Sequence, residues 1–189
     1  MGDSRPQTRR AVFLDLNGTL IVPLKVDTLA EYRQIPGSLE AVAVLCEAGF
    51  VCPVVTIQSR IGKGIYTEAA FLAWFQSFSD TLAESGAFLK GPYVCPHRYR
   101  VACSCKKPTG MLYRQAATDL DIDLKSSFVV GDSLEDMQAA RLLGCVGVAV
   151  RTGWNVGPEV EALSDHVADD AFAAAQWITA HARVAVGER

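Results

Sequence analysis

The sequence predicts a three-layer α/β fold, in which helices cover both faces of a Rossmann-like parallel sheet. Short apolar runs alternate with segments whose apolar residues recur at helical spacing, which is the pattern of β-α-β units. The 189 residues suit one domain, and their apolar half is large enough to build a core. No long insertion interrupts the alternation, so we expect no large cap domain.

Two local patterns locate the elements along the chain. Apolar runs that stop at polar or turn residues predict strands at residues 11–14, 51–56, 93–94, 128–130 and 146–150. Apolar residues at helical spacing predict helices over residues 38–49, 67–85, 109–120, 134–143 and 171–181. Ser38 can cap the first of these helices and Gly49 can end it. We expect one domain over residues 11–181, with tails at 1–10 and 182–189.

Charge and composition argue against several kinds of partner. The net charge is −3 and no basic run occurs, so the chain lacks the electrostatic footprint of a nucleic-acid-binding protein. Apolar stretches stay shorter than a membrane span requires, and residues 1–10 lack the apolar core of a signal peptide. We expect a cytoplasmic monomer that binds a small molecule, with Cys46, Cys52 and Cys145 as buried thiols.

Polar residues end three of the predicted strands. Asp15 follows the first strand, Thr56 ends the second, and Asp132 follows the strand at residues 128–130. In open parallel sheets, ligands bind beyond the carboxyl ends of the strands, so we expect these three side chains at one site. A strand-ending turn at Gly18 and a helix cap at Asp132 are the simpler alternatives for each motif alone.

Carboxylates and cations accompany these strand ends. Asp132 and Asp136 lie four residues apart, and carboxylate oxygens are the ligands that Mg²⁺ prefers. Lys106 and Lys107 supply positive charge that could offset that of a phosphate. A carboxylate placed directly after a buried strand, as Asp15 is, can act as a nucleophile or a metal ligand.

A second group of residues has the spacing of a metal site. Cys95 and His97 form a C-x-H pair, and Cys103 and Cys105 form a C-x-C pair five residues later. Four such ligands close together match a closed tetrahedral zinc site, in which the metal has a structural role. The alternative is two reduced thiol pairs with no metal. The loop ends directly at Lys106, so a bound zinc could fix the neighbouring lysines.

In the order of these motifs, the chain resembles the haloacid dehalogenase superfamily of phosphotransferases. The matching residues are Asp15-Leu16-Asn17-Gly18-Thr19, Thr56, Lys107, and Gly131-Asp132 with Asp136. The resemblance implies that Asp15 attacks phosphorus and becomes an aspartyl phosphate. It implies Mg²⁺ held by Asp15, Asp132 and the backbone carbonyl of Asn17, with Asp136 beside this ligand set. Thr56 and Lys107 would hold the remaining phosphate oxygens.

The Cys/His loop narrows the resemblance to the branch that contains heptose-1,7-bisphosphate phosphatases and histidinol-phosphate phosphatases. Residues 58–64, 131–137 and 150–153 look like the heptose-bisphosphate side of this branch. The implied activity is hydrolysis of a small sugar phosphate, with histidinol phosphate as the alternative substrate. The residues that would contact the substrate are Gln58, Ser59, Arg60, Lys106 and Arg151, with Lys63 as a further candidate.

Asn17 departs from this pattern, because the superfamily normally has an aspartate at its position. That aspartate protonates the leaving alcohol and then deprotonates the attacking water. A carboxamide cannot transfer these protons, and general acid–base catalysis is worth about 10²–10⁴ in rate. Leu16, Ile57 and Arg60 also differ from the usual residues of the branch. A slow phosphatase and a protein that binds a phosphorylated ligand with little turnover both stay open.

Overall fold

The central feature of the computed structural model is a parallel sheet. The model describes residues 8–153 and 156–187, without the side chains of residues 183–187. The strands are β1 (Val12–Leu14), β2 (Ile21–Val22), β3 (Arg33–Gln34), β4 (Cys52–Ile57), β5 (Leu89–Cys95), β6 (Phe128–Gly131), β7 (Val146–Val150) and β8 (His166–Ala168). Within the described residues, six of them form the main sheet in the order β5-β4-β1-β6-β7-β8, and β2 pairs with β3 in a hairpin.

Helices pack on both faces of this sheet. They are α1 (Ser38–Glu47), α2 (Ser59–Gly62), α3 (Glu68–Ala83), α4 (Met111–Asp119), α5 (Leu134–Leu143), α6 (Pro158–Leu163) and α7 (Ala171–Gly187). Successive side chains of β1 point to opposite faces: Val12 and Leu14 pack with α1, α3 and α7, whereas Phe13 packs with α4 and α5. The sheet is thus the middle layer of three.

The structure confirms the predicted fold class and adds short elements. Helix α5 and strand β7 have the predicted bounds, and Thr67 caps α3 by accepting a hydrogen bond from the Ala70 amide. The elements that no pattern indicated are β2, β3, α2, α6 and β8, each of two to six residues. Helix α7 continues to Gly187, past the predicted boundary at 181. Residues 1–7 of the predicted tail lie outside the described residues.

The strand order brings the predicted site together. Strand β1 lies between β4 and β6, and all three are parallel, so Asp15, Thr56 and Asp132 meet at one edge. In the described part of the chain, no cap domain interrupts the fold, and residues of the segment with β2 and β3 border this edge beside α2 and Tyr99. Among the described helices, none is both long and apolar enough to cross a bilayer.

Candidate active site

A buried lysine joins two carboxylates at the carboxyl edge of the sheet. The Nζ atom of Lys107 donates to Asp15 Oδ1 at 2.6 Å and to Asp136 Oδ1 at 2.7 Å. Only 3% of the Lys107 side chain is exposed, so these charge-assisted bonds lie where little water competes. The other oxygen of Asp136 accepts a bond from Ser133 Oγ at 2.5 Å. Both oxygens of Asp136 are therefore used within the protein, and Asp136 positions Lys107.

Two glycines allow the backbone to approach Asp132 closely. A Cβ atom added at Gly18 or at Gly153 would clash with Asp132 Oδ2. Gly18 has φ +91°, in the left-handed region that favours glycine, and Thr152 Oγ1 fixes its carbonyl at 2.6 Å. Asp132 is 8% exposed, and one of its oxygens lies within 4.8 Å of oxygens of Asp15 and Asp136. This crowded group of carboxylates could hold a divalent cation.

The crowding shifts the pKa values of these groups. Burial raises the pKa of Asp15 to about 6, although Lys107 opposes the shift. Burial and then the neighbouring Asp15 and Asp136 raise the pKa of Asp132 to about 8. Burial by itself would lower the pKa of Lys107, but Asp136 and Asp15 raise it well above its ordinary value. A hard cation between Asp15 and Asp132 would remove this repulsion, so the donor set fits Mg²⁺.

A chain of amide and hydroxyl groups borders the carboxylates. Gln58 Nε2 donates to Asn17 Oδ1 at 2.7 Å and to Thr56 Oγ1 at 2.9 Å. Tyr66 Oη donates to Gln58 Oε1 at 3.0 Å. Because the Thr56 oxygen accepts from Gln58, its own hydrogen remains for an oxygen of a bound phosphate. The sequence did not indicate Tyr66, which lies eight residues after its partner in a polar turn.

The four predicted Cys/His residues meet in a second cluster. The Sγ atoms of Cys95, Cys103 and Cys105 lie 3.3 to 3.7 Å apart. His97 Nδ1 lies 3.2 Å from Cys105 Sγ and 3.8 Å from Cys95 Sγ. The four donors could hold one metal ion.

Lys106, predicted to contact the substrate, bonds to the backbone of the Cys/His loop. Its Nζ atom donates to the carbonyl oxygens of Arg98, Tyr99 and Val101 at 2.9, 2.6 and 2.7 Å. These three bonds use all three N–H donors of the ammonium group. Arg98 in turn donates from Nε to the Gly62 carbonyl at 2.8 Å, which ties the loop to α2.

The other predicted substrate contacts separate into two places. Gln58, Ser59 and Arg60 line a cleft of about 230 Å³ that also contains the carboxylates. Arg60 pairs with Asp27 at 3.0 Å, and its buried Nε has no partner among the described residues. Arg151 lies outside the lining of this cleft and pairs with Glu161 at 2.8 Å. Lining residues that sequence reasoning missed are Leu24, Lys25, Tyr32, Tyr99, Ser133 and Glu135.

Comparison with known proteins gives matches over most of the chain. The Hydrolase_like family model, described as HAD-hyrolase-like, matches residues 104–174. D-glycero-β-D-manno-heptose-1,7-bisphosphate 7-phosphatase of Yersinia pestis is 39% identical over 171 residues, covering 85% of this chain and 90% of that protein. The protein of the same name from Escherichia coli K12 is 39% identical over 167 residues, covering 83% and 87%.

Solved structures agree with these relatives. The D,D-heptose 1,7-bisphosphate phosphatase of B. bronchiseptica, complexed with magnesium and phosphate, has a TM-score of 0.80 and 31% identity, covering 91% of this chain and 99% of that one. The enzyme of that name from Burkholderia thailandensis has a TM-score of 0.64 and 29% identity, covering 89% and 97%. The resemblance read from the motifs is confirmed. The chain belongs to the D-glycero-β-D-manno-heptose-1,7-bisphosphate 7-phosphatase family of haloacid-dehalogenase-like hydrolases.

Proposed function

We propose that this chain is a magnesium-dependent phosphatase that removes the 7-phosphate of D-glycero-β-D-manno-heptose 1,7-bisphosphate. The observation that carries the proposal is the buried Asp15 carboxylate, 2.6 Å from Lys107 Nζ and close to Asp132. The choice of substrate follows the names of relatives that are 39% identical over most of the chain. The cytoplasm, which keeps thiols reduced, suits the six free cysteines.

Each side chain of the site has a place in this reaction. Mg²⁺ held by Asp15, Asp132 and the Asn17 carbonyl would supply charge that offsets the phosphate dianion. Asp15 attacks phosphorus, and Lys107 holds the Asp15 carboxylate in position through its bond to Oδ1. The Thr56 hydroxyl donates to a phosphate oxygen. Gln58, Ser59 and Arg60 line the cleft beside the carboxylates and would contact the sugar phosphate.

We also propose that the Cys/His cluster binds zinc in a structural role. With Zn–S bonds of about 2.3 Å, the edge of a tetrahedron measures about 3.8 Å. The observed sulfur–sulfur distances of 3.3 to 3.7 Å approach this value. Four protein ligands leave no open position for a substrate, so the ion would hold the loop and the lysines that follow it.

Phosphate release from heptose bisphosphate, with Mg²⁺ present, tests the proposed activity. Asp15→Asn should reduce release to background, while the matched variant Asp80→Asn, on an exposed helix position, should keep the parent rate. Histidinol phosphate assayed beside it distinguishes the sister activity. An Asp15→Asn protein as active as its parent would exclude Asp15 as the nucleophile.

Binding of a phosphorylated ligand with little turnover is a second candidate, which Asn17 favours. An amide at this position keeps the metal-binding carbonyl but provides no acid or base. Multiple turnovers of heptose bisphosphate by the parent chain would exclude this candidate. Saturable binding with less than one turnover per molecule would support it.

A further inference from the structure

The Asn17 side chain is fixed in one orientation and has a donor left over. Tyr66 donates to the oxygen of Gln58, so the Gln58 amide turns its nitrogen towards Asn17 and Thr56. Asn17 must then present its oxygen to Gln58. Its Nδ2 atom is buried and has no partner among the described residues. The unused N–H groups of Asn17 are thus held in one orientation, on a residue that lines the cleft.

This donor can stabilise an oxygen but cannot protonate it. When Asp15 attacks, an Oδ–P bond forms, the P–O bond to the leaving group breaks, and the electron pair stays on the leaving oxygen. A sugar alkoxide needs a proton at that moment, and an amide does not supply one near neutral pH. A leaving group whose conjugate acid has a pKa below roughly 7 departs as a stable anion without a proton. Carboxylates leaving from acyl phosphates meet this condition.

In the second half of the reaction, Asn17 cannot act as the base for the same reason. Water that attacks the aspartyl phosphate must lose a proton, and Asn17 cannot accept it. Both oxygens of Asp136 already accept bonds from Lys107 and Ser133. In the described lining of the cleft, Glu135 is the remaining carboxylate outside the proposed metal site. Its Oε1 accepts a bond from Tyr99 at 2.9 Å.

We infer that the site takes phosphoryl groups from donors with acidic leaving groups, acyl phosphates foremost, and retains them as an aspartyl phosphate on Asp15. The acyl phosphate and the Asp15 carboxylate give a free carboxylate and the phosphorylated Asp15, so atoms and charge balance. The inference rests on the proposed function, because it needs Asp15 as the nucleophile. It adds that removal of the sugar 7-phosphate, whose leaving group is an alkoxide, is slow compared with transfer from an acyl phosphate, and that the aspartyl phosphate accumulates.

Two measurements on the intact protein with Mg²⁺ test this. The first is the mass of the protein, acid-quenched after incubation with acetyl phosphate, where we expect one added phosphoryl group in the parent and none in Asp15→Asn. The second is the rate at which the leaving group is released from a series of aryl phosphates of rising leaving-group pKa and from glycerol phosphate. The parent rate should fall steeply along this series.

The isosteric variant Asn17→Asp provides the comparison. It should accelerate glycerol phosphate hydrolysis by about 10²–10⁴, change the rate of phosphorylation by acetyl phosphate less than tenfold, and abolish the accumulated adduct. Similar leaving-group dependence in both proteins would overturn the inference. Rapid loss of the adduct in the parent would also overturn the inference if Glu135→Gln prevents that loss, because Glu135 would then act as the base. If Asn17→Asp is folded but reacts with no phosphate ester, the proposed function itself fails.

Discussion

Removing the buried cation at Lys107 should destabilise the protein strongly. In Lys107→Met the carboxylates of Asp15 and Asp136 lose contacts of 2.6 and 2.7 Å and stay buried. Breaking a buried ion pair by removing one partner costs about 3–5 kcal/mol. For a domain of this size each kcal/mol lowers the melting temperature by about 2–4 °C, so we expect a loss on the order of 10 °C.

Thermal and urea unfolding, followed by circular dichroism in Mg²⁺-free buffer without chelator, measure this loss while any zinc stays bound. The matched control is Lys90→Met, at an exposed strand position, which should stay within about 0.5 kcal/mol of the parent. Adding Asp136→Asn to Lys107→Met removes one uncompensated charge and should recover part of the stability. A loss below about 1 kcal/mol for Lys107→Met would refute the reasoning, because the pair would then contribute no more than a surface salt bridge.

Three further predictions concern pH, zinc and thiol chemistry. In the Mg²⁺-free protein, folding raises the pKa of Asp132 from about 4 to about 8, so the folded state binds more protons and stability falls as pH rises across that window. Mg²⁺ should therefore raise the melting temperature more at pH 8 than at pH 5.5, and the opposite order would contradict the assignment. Cys105→Ser should reduce bound zinc, measured by elemental analysis of the purified protein, from about one ion to well below one per chain; full retention would exclude Cys105 as a ligand. The interaction between the Cys46 and Cys52 thiols, 4.0 Å apart, and the bond from the Phe88 amide lower the pKa of Cys46 to about 6. Iodoacetamide at pH 7 should therefore label Cys46 ahead of Cys52, and Cys52→Ala should slow that labelling. Unchanged labelling in Cys52→Ala would show that Cys52 does not activate Cys46.

The sequence was most informative where chemistry and strand position coincide. Asp15, Thr56 and Asp132 each end a strand, and the parallel topology alone brings them to one edge. The Cys/His cluster was predictable because its ligands lie close together along the chain, and a short loop can bring them together whatever the rest of the fold is. The short β2 and β3 strands carry too few residues to show alternation, which is why no pattern indicated them.

The roles of cations depended on long-range geometry that spacing does not encode. Lys106 and Lys107 are neighbours in sequence, yet one bonds to loop carbonyls and the other to two buried carboxylates. Arg151 follows a strand of the sheet, but its side chain turns to Glu161 and away from the cleft lining. Tyr66 and Tyr99 act through partners in other elements, Gln58 and Glu135, and an aromatic residue in a polar segment gives no local signal of this kind.

The consecutive positions Cys105, Lys106 and Lys107 have consequences for how the gene can change. The Cys105 side chain is part of the Cys/His cluster, the Lys106 side chain donates to carbonyl oxygens of the loop, and the Lys107 side chain donates to the Asp15 carboxylate. A substitution in this tripeptide disturbs one of these tasks, whereas an inserted or deleted codon moves neighbouring residues away from their partners and disturbs more than one task. In a deep mutational library, in-frame length changes here should be depleted far more than at the exposed turn of Gly86, where an added Cβ atom would meet nothing within 4 Å.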